Sequence, residues 1–200
     1  EADWTKAVTS LGYTLGFLIV ILARMQLFTE NTITPMLELF ISPNGRNLWL
    51  TGRLWLIVFA ANLVGCFVAA GFVTIADLVP SKQFDGILKV SRDYAAASAF
   101  EHFRWGILAG FLIASLVWIL PRMQSAGEVL MIMIVTYAIS LGGFSHVVAG
   151  STELFILVLV GELDILQATL SGILPALLGN IIGGTGIFAA LAYAQVREEL

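Results

Sequence analysis

Apolar residues fill this chain in long runs, and two of those runs are broken near their middles by polar residues. The first run covers residues 7–41 and is broken at 24–32 by Arg24, Gln26, Thr29, Glu30, Asn31 and Thr32. The second covers residues 129–161 and is broken at 142–153, where Gly142, Gly143, Ser145, His146, Gly150, Ser151, Thr152 and Glu153 fall. Three further runs, 54–76, 105–120 and 165–196, are apolar and nearly or wholly uncharged. A helix needs about 20 mostly apolar residues to cross the hydrocarbon core of a bilayer. The pattern therefore predicts five membrane elements. The first is a half-helix to about residue 23, a polar turn, and a second half-helix from Thr32, with Thr34-Pro35 suited to a helix start. A straight span over 47–77 follows, then the longest polar loop, 80–96. A third span over 97–120 ends at Pro121. The second broken span comes next, and the fifth runs over 166–196 with a kink at Pro175. Polar, irregular backbone at membrane depth survives where protein buries it or where it lines a wet cavity, and a matched pair of such breaks points to a transport site.

The two halves share more than their breaks. Ala61-Asn62-Leu63-Val64-Gly65-Cys66 resembles Gly179-Asn180-Ile181-Ile182-Gly183-Gly184, and the two asparagines are 118 positions apart. The same offset carries Phe28-Thr29 onto His146-Val147, inside the second break. One domain over 1–200 is expected, built from a repeat at 1–78 and a repeat at 97–196. The second repeat opens with a span that has no counterpart in the first, so a membrane helix ahead of Glu1 is expected in the parent protein. Three spans per repeat is an odd number, which gives the halves opposite orientation in the membrane. Glycines four apart, at Gly12/Gly16, Gly106/Gly110 and Gly179/Gly183, predict close helix approach, and Asn62 and Gly65 join them as packing residues of the repeat.

Composition agrees and excludes other classes. Of 200 residues, 58% are hydrophobic and 12% charged, and the mean hydropathy is +0.92. Soluble domains carry roughly 25% charged residues. The expectation is an all-α polytopic membrane protein. The net charge of −4 comes without a basic run, so no nucleic-acid partner is expected. With two histidines, one cysteine (Cys66) and no His-Glu-x-x-His, no metal site is expected and no cofactor either. Gly143-Phe144-Ser145-His146-Val147 approaches a nucleophile elbow but lacks the final glycine, and enzyme activity is not expected.

The candidate chemistry lies in the breaks. An ionisable group at bilayer depth is costly and by default functional, which singles out His146. Its pKa in water is near neutrality, which suits proton sharing. Thr29 offers a hydroxyl from the other break. Half-helices that start at a shared midplane present N-terminal amides to it and attract anions. Arg24 and Glu153 fall on the same side of an inverted repeat, and the sequence predicts that they form a buried ion pair. Glu101, His102 and Arg104 flank the third span and are expected in the membrane interface, as are Trp49, Trp55, Trp105 and Trp118. Arginines at 46, 53, 122 and 197 fall on one side of the five-span arrangement, and their short loops favour that side as cytoplasmic.

Leu27-Phe28-Thr29 in a broken helix, Phe144-x-His146-x-x-Ala149 in another, Gly106-Ile107-Leu108-Ala109 and Gly179-Asn180-Ile181-Ile182-Gly183-Gly184 resemble the formate/nitrite transporter family. The resemblance covers nearly the whole chain and, through residues 11–32, points to a poorly characterised branch of the family. It implies an aquaporin-like six-helix protomer with its own pore, in a homopentamer in the cell inner membrane with both termini cytoplasmic. It implies passage of small monovalent anions such as formate or nitrite, with a proton alongside. His146 then matches the central pore histidine and Thr29 the threonine of the opposing loop. Tyr13 and Phe17 would lie at one constriction and Phe28 and Ile139 at the other. Ser145 stands where the family has glutamate, Gly150 and Gly110 where it has asparagine, and Glu30 where a small residue is usual. The residues alone leave open a channel for neutral solutes, or a membrane protein that transports nothing.

Overall fold

The computed structural model describes residues 2–75 and 78–196; Asp77, the expected end of the second span, and Arg197 lie outside the described residues. The described residues are mostly helical: α1 (Ala2–Leu22), a 3-10 turn (Phe28–Thr32), α2 (Thr34–Ile41), α3 (Gly45–Thr74), α4 (Ser81–Ala95), α5 (Ala99–Ile119), α6 (Ala126–Gly142) and α7 (Val147–Leu159). The last run comprises α8 (Ile165–Gln167), a π segment (Ala168–Ile173), α9 (Leu174–Ile181), a second π segment (Ile182–Ala189) and α10 (Ala190–Val196). Four helical runs are long and apolar enough to cross a membrane, and α6 with α7 forms a fifth, bent by 49°. Pro175 sits in the first turn of α9. The widened π turn directly before it absorbs the missing amide and the ring clash that proline brings to a helix interior.

Residues 81–95, expected to be loop, form a helix. Phe84, Ile87, Leu88, Ser91, Tyr94 and Ala95 recur at helical spacing and are buried or half-buried, while the charged residues face out. This face packs on α7. At its far end Arg92 holds Glu162 with a two-pronged ion pair, Nε to Oε2 at 2.7 Å and Nη2 to Oε1 at 2.5 Å. The guanidinium keeps the Glu162 carboxyl below the ordinary carboxylate range. A capping box then starts α5, in which Ser98 Oγ accepts from the Glu101 amide and Glu101 Oε2 accepts from the Ser98 amide.

The tightest packing is between α5 and the last helical run. A Cβ on Gly110 would overlap the Asn180 backbone, and one on Gly183 would overlap the Ile107 carbonyl oxygen. At Gly106 it would come within 2.9 Å of the Ala176 oxygen, so both predicted glycine pairs on these helices are in the crossing. Gly12, Gly16 and Gly65 are different: they are exposed, and a Cβ there would meet nothing within 4 Å. Their place as packing residues within the protomer is therefore corrected. The apolar faces of α1 and α3 that carry them are open, with Leu15 59%, Leu56 69% and Val64 64% exposed.

Candidate functional site

Both breaks begin with the same chain reversal. In the first, Arg24 takes a left-handed conformation, φ 54°, and its amide bonds to the Ile21 oxygen while the Met25 amide reaches Val20. In the second, Gly143 at φ 67° bonds to Ser140 and Phe144 reaches Ile139. This is the Schellman closure of a helix C-terminus, with arginine in one copy where glycine is usual. Arg24 is exposed there, and among the described residues the ion pairs are Arg92–Glu162 and Arg104–Glu101. The expected Arg24–Glu153 pair is not formed, because Arg24 is the left-handed cap that starts the break.

An asparagine then straps each break. Asn62 Oδ1 accepts from the Phe28 amide at 2.8 Å and its Nδ2 donates to the Gln26 oxygen at 3.0 Å. Asn180 Oδ1 accepts from the Val147 amide at 2.9 Å and its Nδ2 donates to the Ser145 oxygen at 2.8 Å. Asn180 also donates to the Gly106 oxygen at 2.9 Å, which ties the second break to α5. The strapped residues are 119 apart, as are Arg24 and Gly143, whereas the asparagines are 118 apart. The bonds thus align Leu27, not Phe28, with His146; both precede the helical turn that follows their break.

The two breaks meet at one contact. Thr29 Oγ1 lies 2.7 Å from His146 Nε2, and the two residues are 1% and 2% exposed. His146 also caps α7: its Nδ1 accepts from the Ala149 amide at 3.3 Å. That acceptor role puts the ring proton on Nε2, so Nε2–H donates to Thr29 Oγ1. The threonine oxygen is fixed in turn, since its backbone carbonyl accepts from Thr32 Oγ1, and Thr185 Oγ1 donates to the Thr32 carbonyl, both at 2.7 Å.

Aromatic rings enclose the pair. Phe17 meets the His146 ring edge-on at 5.0 Å, and Tyr13 lies 5.1 Å from Phe17. Phe28 packs against Phe59 at 5.1 Å and Trp55 at 6.2 Å. Ile139 is fully buried in the same apolar cluster as Phe17 and Leu27, while Phe28 belongs to a separate cluster with Val58 and Val147. The structure therefore groups Ile139 with Phe17, although the resemblance set it beside Phe28.

Three residues at the site escaped the sequence reading. His102, expected at the interface, is 1% exposed, and its Nδ1 lies 3.0 Å from Ser145 Oγ. The Tyr94 ring leans against it, with centroids 4.5 Å apart and the planes tilted by 42°. The Tyr94 hydroxyl occupies the space a side chain on residue 150 would need, so Gly150 is required where the family has asparagine. The signal for His102 was present: it lies four residues before Gly106 and eight before Gly110, on the buried face of α5. Trp55 likewise is no interface anchor, because its Nε1 donates to the Asn31 oxygen inside the first break at 2.9 Å.

Comparisons with known proteins agree on the whole length. The sequence profile of the family described as formate/nitrite transporter matches residues 1–194. The inner membrane protein YfdC of Escherichia coli K12 is 39% identical over 191 residues, 96% of this chain and 61% of YfdC, so the chain spans about three fifths of that relative. The formate channel FocA of Haemophilus influenzae is 25% identical over 217 residues, covering 94% of this chain and 75% of FocA. Among solved structures, a pentameric formate channel with formate bound superposes with a TM-score of 0.82 at 18% identity, covering 99% of this chain and 85% of that one. An ion channel of the same family superposes with a TM-score of 0.80 at 21% identity, covering 96% and 77%. At these identities the two superpositions show the fold.

Proposed function

We propose that this chain, which belongs to the formate/nitrite transporter family, forms a pore for small monovalent anions with Thr29 and His146 at its centre. The observation that carries the reading is the 2.7 Å contact that joins the two breaks. His146 Nε2–H occupies one lone pair of the threonine oxygen, so the hydroxyl proton is left to donate to a passing anion. The start of α7, capped by His146, brings the positive end of its dipole to the same region, which favours negative charge. Phe17 and Tyr13 on one side and Phe28 on the other keep water scarce, so these few donors set which ion passes. The repeats at 1–78 and 97–196 act as two copies of one device in opposite orientation. The protein works as a homopentamer in the bacterial inner membrane, as the names of its relatives suggest.

Uptake of formate, nitrite, acetate, hydrosulfide and glycerol into proteoliposomes at two pH values tests this. Anion uptake is expected, and Thr29→Val and His146→Ala each lower it by about tenfold, the worth of one hydrogen bond near 1.4 kcal/mol. Glycerol uptake without anion uptake identifies a neutral-solute channel instead. Folded oligomers that pass no solute at all would sink the proposal.

A further inference from the structure

The two histidines of the site are held by partners of different chemistry. The Nδ1 of His146 faces the Ala149 amide, a group that only donates. A second ring proton on His146 has to go to Nδ1, where it would point at that N–H and break the cap of α7. His102 faces Ser145 Oγ at 3.0 Å. A hydroxyl can donate to an unprotonated Nδ1 or accept from a protonated one. On protonation the proton joins Nδ1 and the serine hydroxyl rotates from donor to acceptor; on release both changes reverse. In the other neutral tautomer the proton joins Nε2 and the serine bond is untouched. Either way, the Nδ1 hydrogen bond of His102 survives a change of charge and the Nδ1 hydrogen bond of His146 does not.

From this we infer that His102, rather than His146, takes up and releases the proton that accompanies the permeant. Ser145 links the two sites directly. Its hydroxyl meets His102, it is the residue before His146, and its carbonyl is strapped by Asn180. Serine carries no charge, and its hydroxyl can bond the ring in either charge state. The groups around His102 suit that cycle. From α4, the Tyr94 ring leans against the His102 ring at a tilt of 42°. Glu153 on α7 lies within electrostatic range of Tyr94 and of Tyr13 on α1. Along α5, Glu101 and Arg104 pair with each other at 3.6 Å on the exposed side. An imidazolium at His102 thus has Glu101 beside it on α5, with Arg104 already engaged by that same carboxylate.

The inference rests on the pore reading, yet part of its test does not. Nitrogen NMR of ring-labelled histidine is recorded on the full-length protein in lipid nanodiscs between pH 4.5 and 8. His102→Asn and His146→Gln assign the two rings. Asparagine keeps a hydrogen-bonding atom near the Nδ1 position, so Ser145 retains a partner while the titrating group is gone. The ring signal lost in His102→Asn is expected to titrate, and the one lost in His146→Gln to stay as the neutral Nε2–H tautomer throughout. Ser145→Ala is expected to shift the His102 step. If the ring that titrates is His146, or if neither ring does, the inference is overturned. In proteoliposomes, His102→Asn is expected to lower the proton uptake per formate taken up, read with an internal pH dye, and a ratio equal to the parent's overturns the inference. A parent that passes no anion defeats the pore reading and leaves the NMR result to decide for or against His102.

Discussion

Replacing Asn180 by alanine removes three hydrogen bonds from a fully buried position. The Val147 amide then has no acceptor, and Val147 is itself fully buried. A buried donor left unsatisfied costs about 1–3 kcal/mol. The Ser145 and Gly106 carbonyls lose a donor each, which is tolerated better than an orphaned N–H. The vacated volume sits against glycines that approach within contact, so little can collapse into it. A total of about 2–4 kcal/mol follows from these terms. Asn62→Ala removes the corresponding two bonds at a half-buried position, and the cost there is about half as large. Amide hydrogen exchange on the protein in nanodiscs reads both changes locally. Protection of the Val147 amide is expected to fall by about thirtyfold to several-hundredfold in Asn180→Ala, at 1.4 kcal/mol per factor of ten. The Phe28 amide should change less in Asn62→Ala, and each effect should stay within its own break. Equal loss of protection at both amides in either single variant would falsify the view that each asparagine holds one break.

Gly110→Ala and Gly65→Ala separate two glycines that look alike in sequence. The first drives a methyl into the Asn180 backbone and is expected to cost about 3 kcal/mol or more, seen as a lower melting temperature or loss of folded protein. The second enters open space in a helix and is expected to leave the protomer's stability unchanged or raise it by up to about 1 kcal/mol. Arg24→Gly relieves a left-handed conformation that disfavours a side chain by about 1–2 kcal/mol, so its melting temperature should match or exceed the parent's. A clear drop in that temperature would instead show that the Arg24 side chain bonds something the break depends on.

Much of the architecture was legible in the residues because a bilayer punishes polar backbone so heavily. Both breaks could be located from hydropathy, although the second is shorter than the expected 142–153 because residues 147–153 already belong to α7, and the repeated Asn-x-x-Gly at 62 and 180 pointed to the residues that strap them. Thr29 and His146 followed from the same cost argument, since a titratable group at that depth needs a partner. The helix at 81–95 was also readable from its spacing of Phe84, Ile87, Leu88 and Ser91, although its charges resembled those of a loop. What pattern could not supply was which face of a helix meets which neighbour. Gly65 and Gly183 occupy the same place in the repeated motif, yet one faces open space and the other the Ile107 carbonyl. Arg24 carried a charge that suggested a partner, whereas the fold uses its backbone to turn the chain. His102 read as an interface residue until α5 was set against the second break, with Ser145 in front of it. Burial cost acts on each residue wherever it lies, so the sequence records it directly. Hydrogen bonds and close contacts between distant segments depend on how two helices are rotated against each other, and only the packed structure decides that.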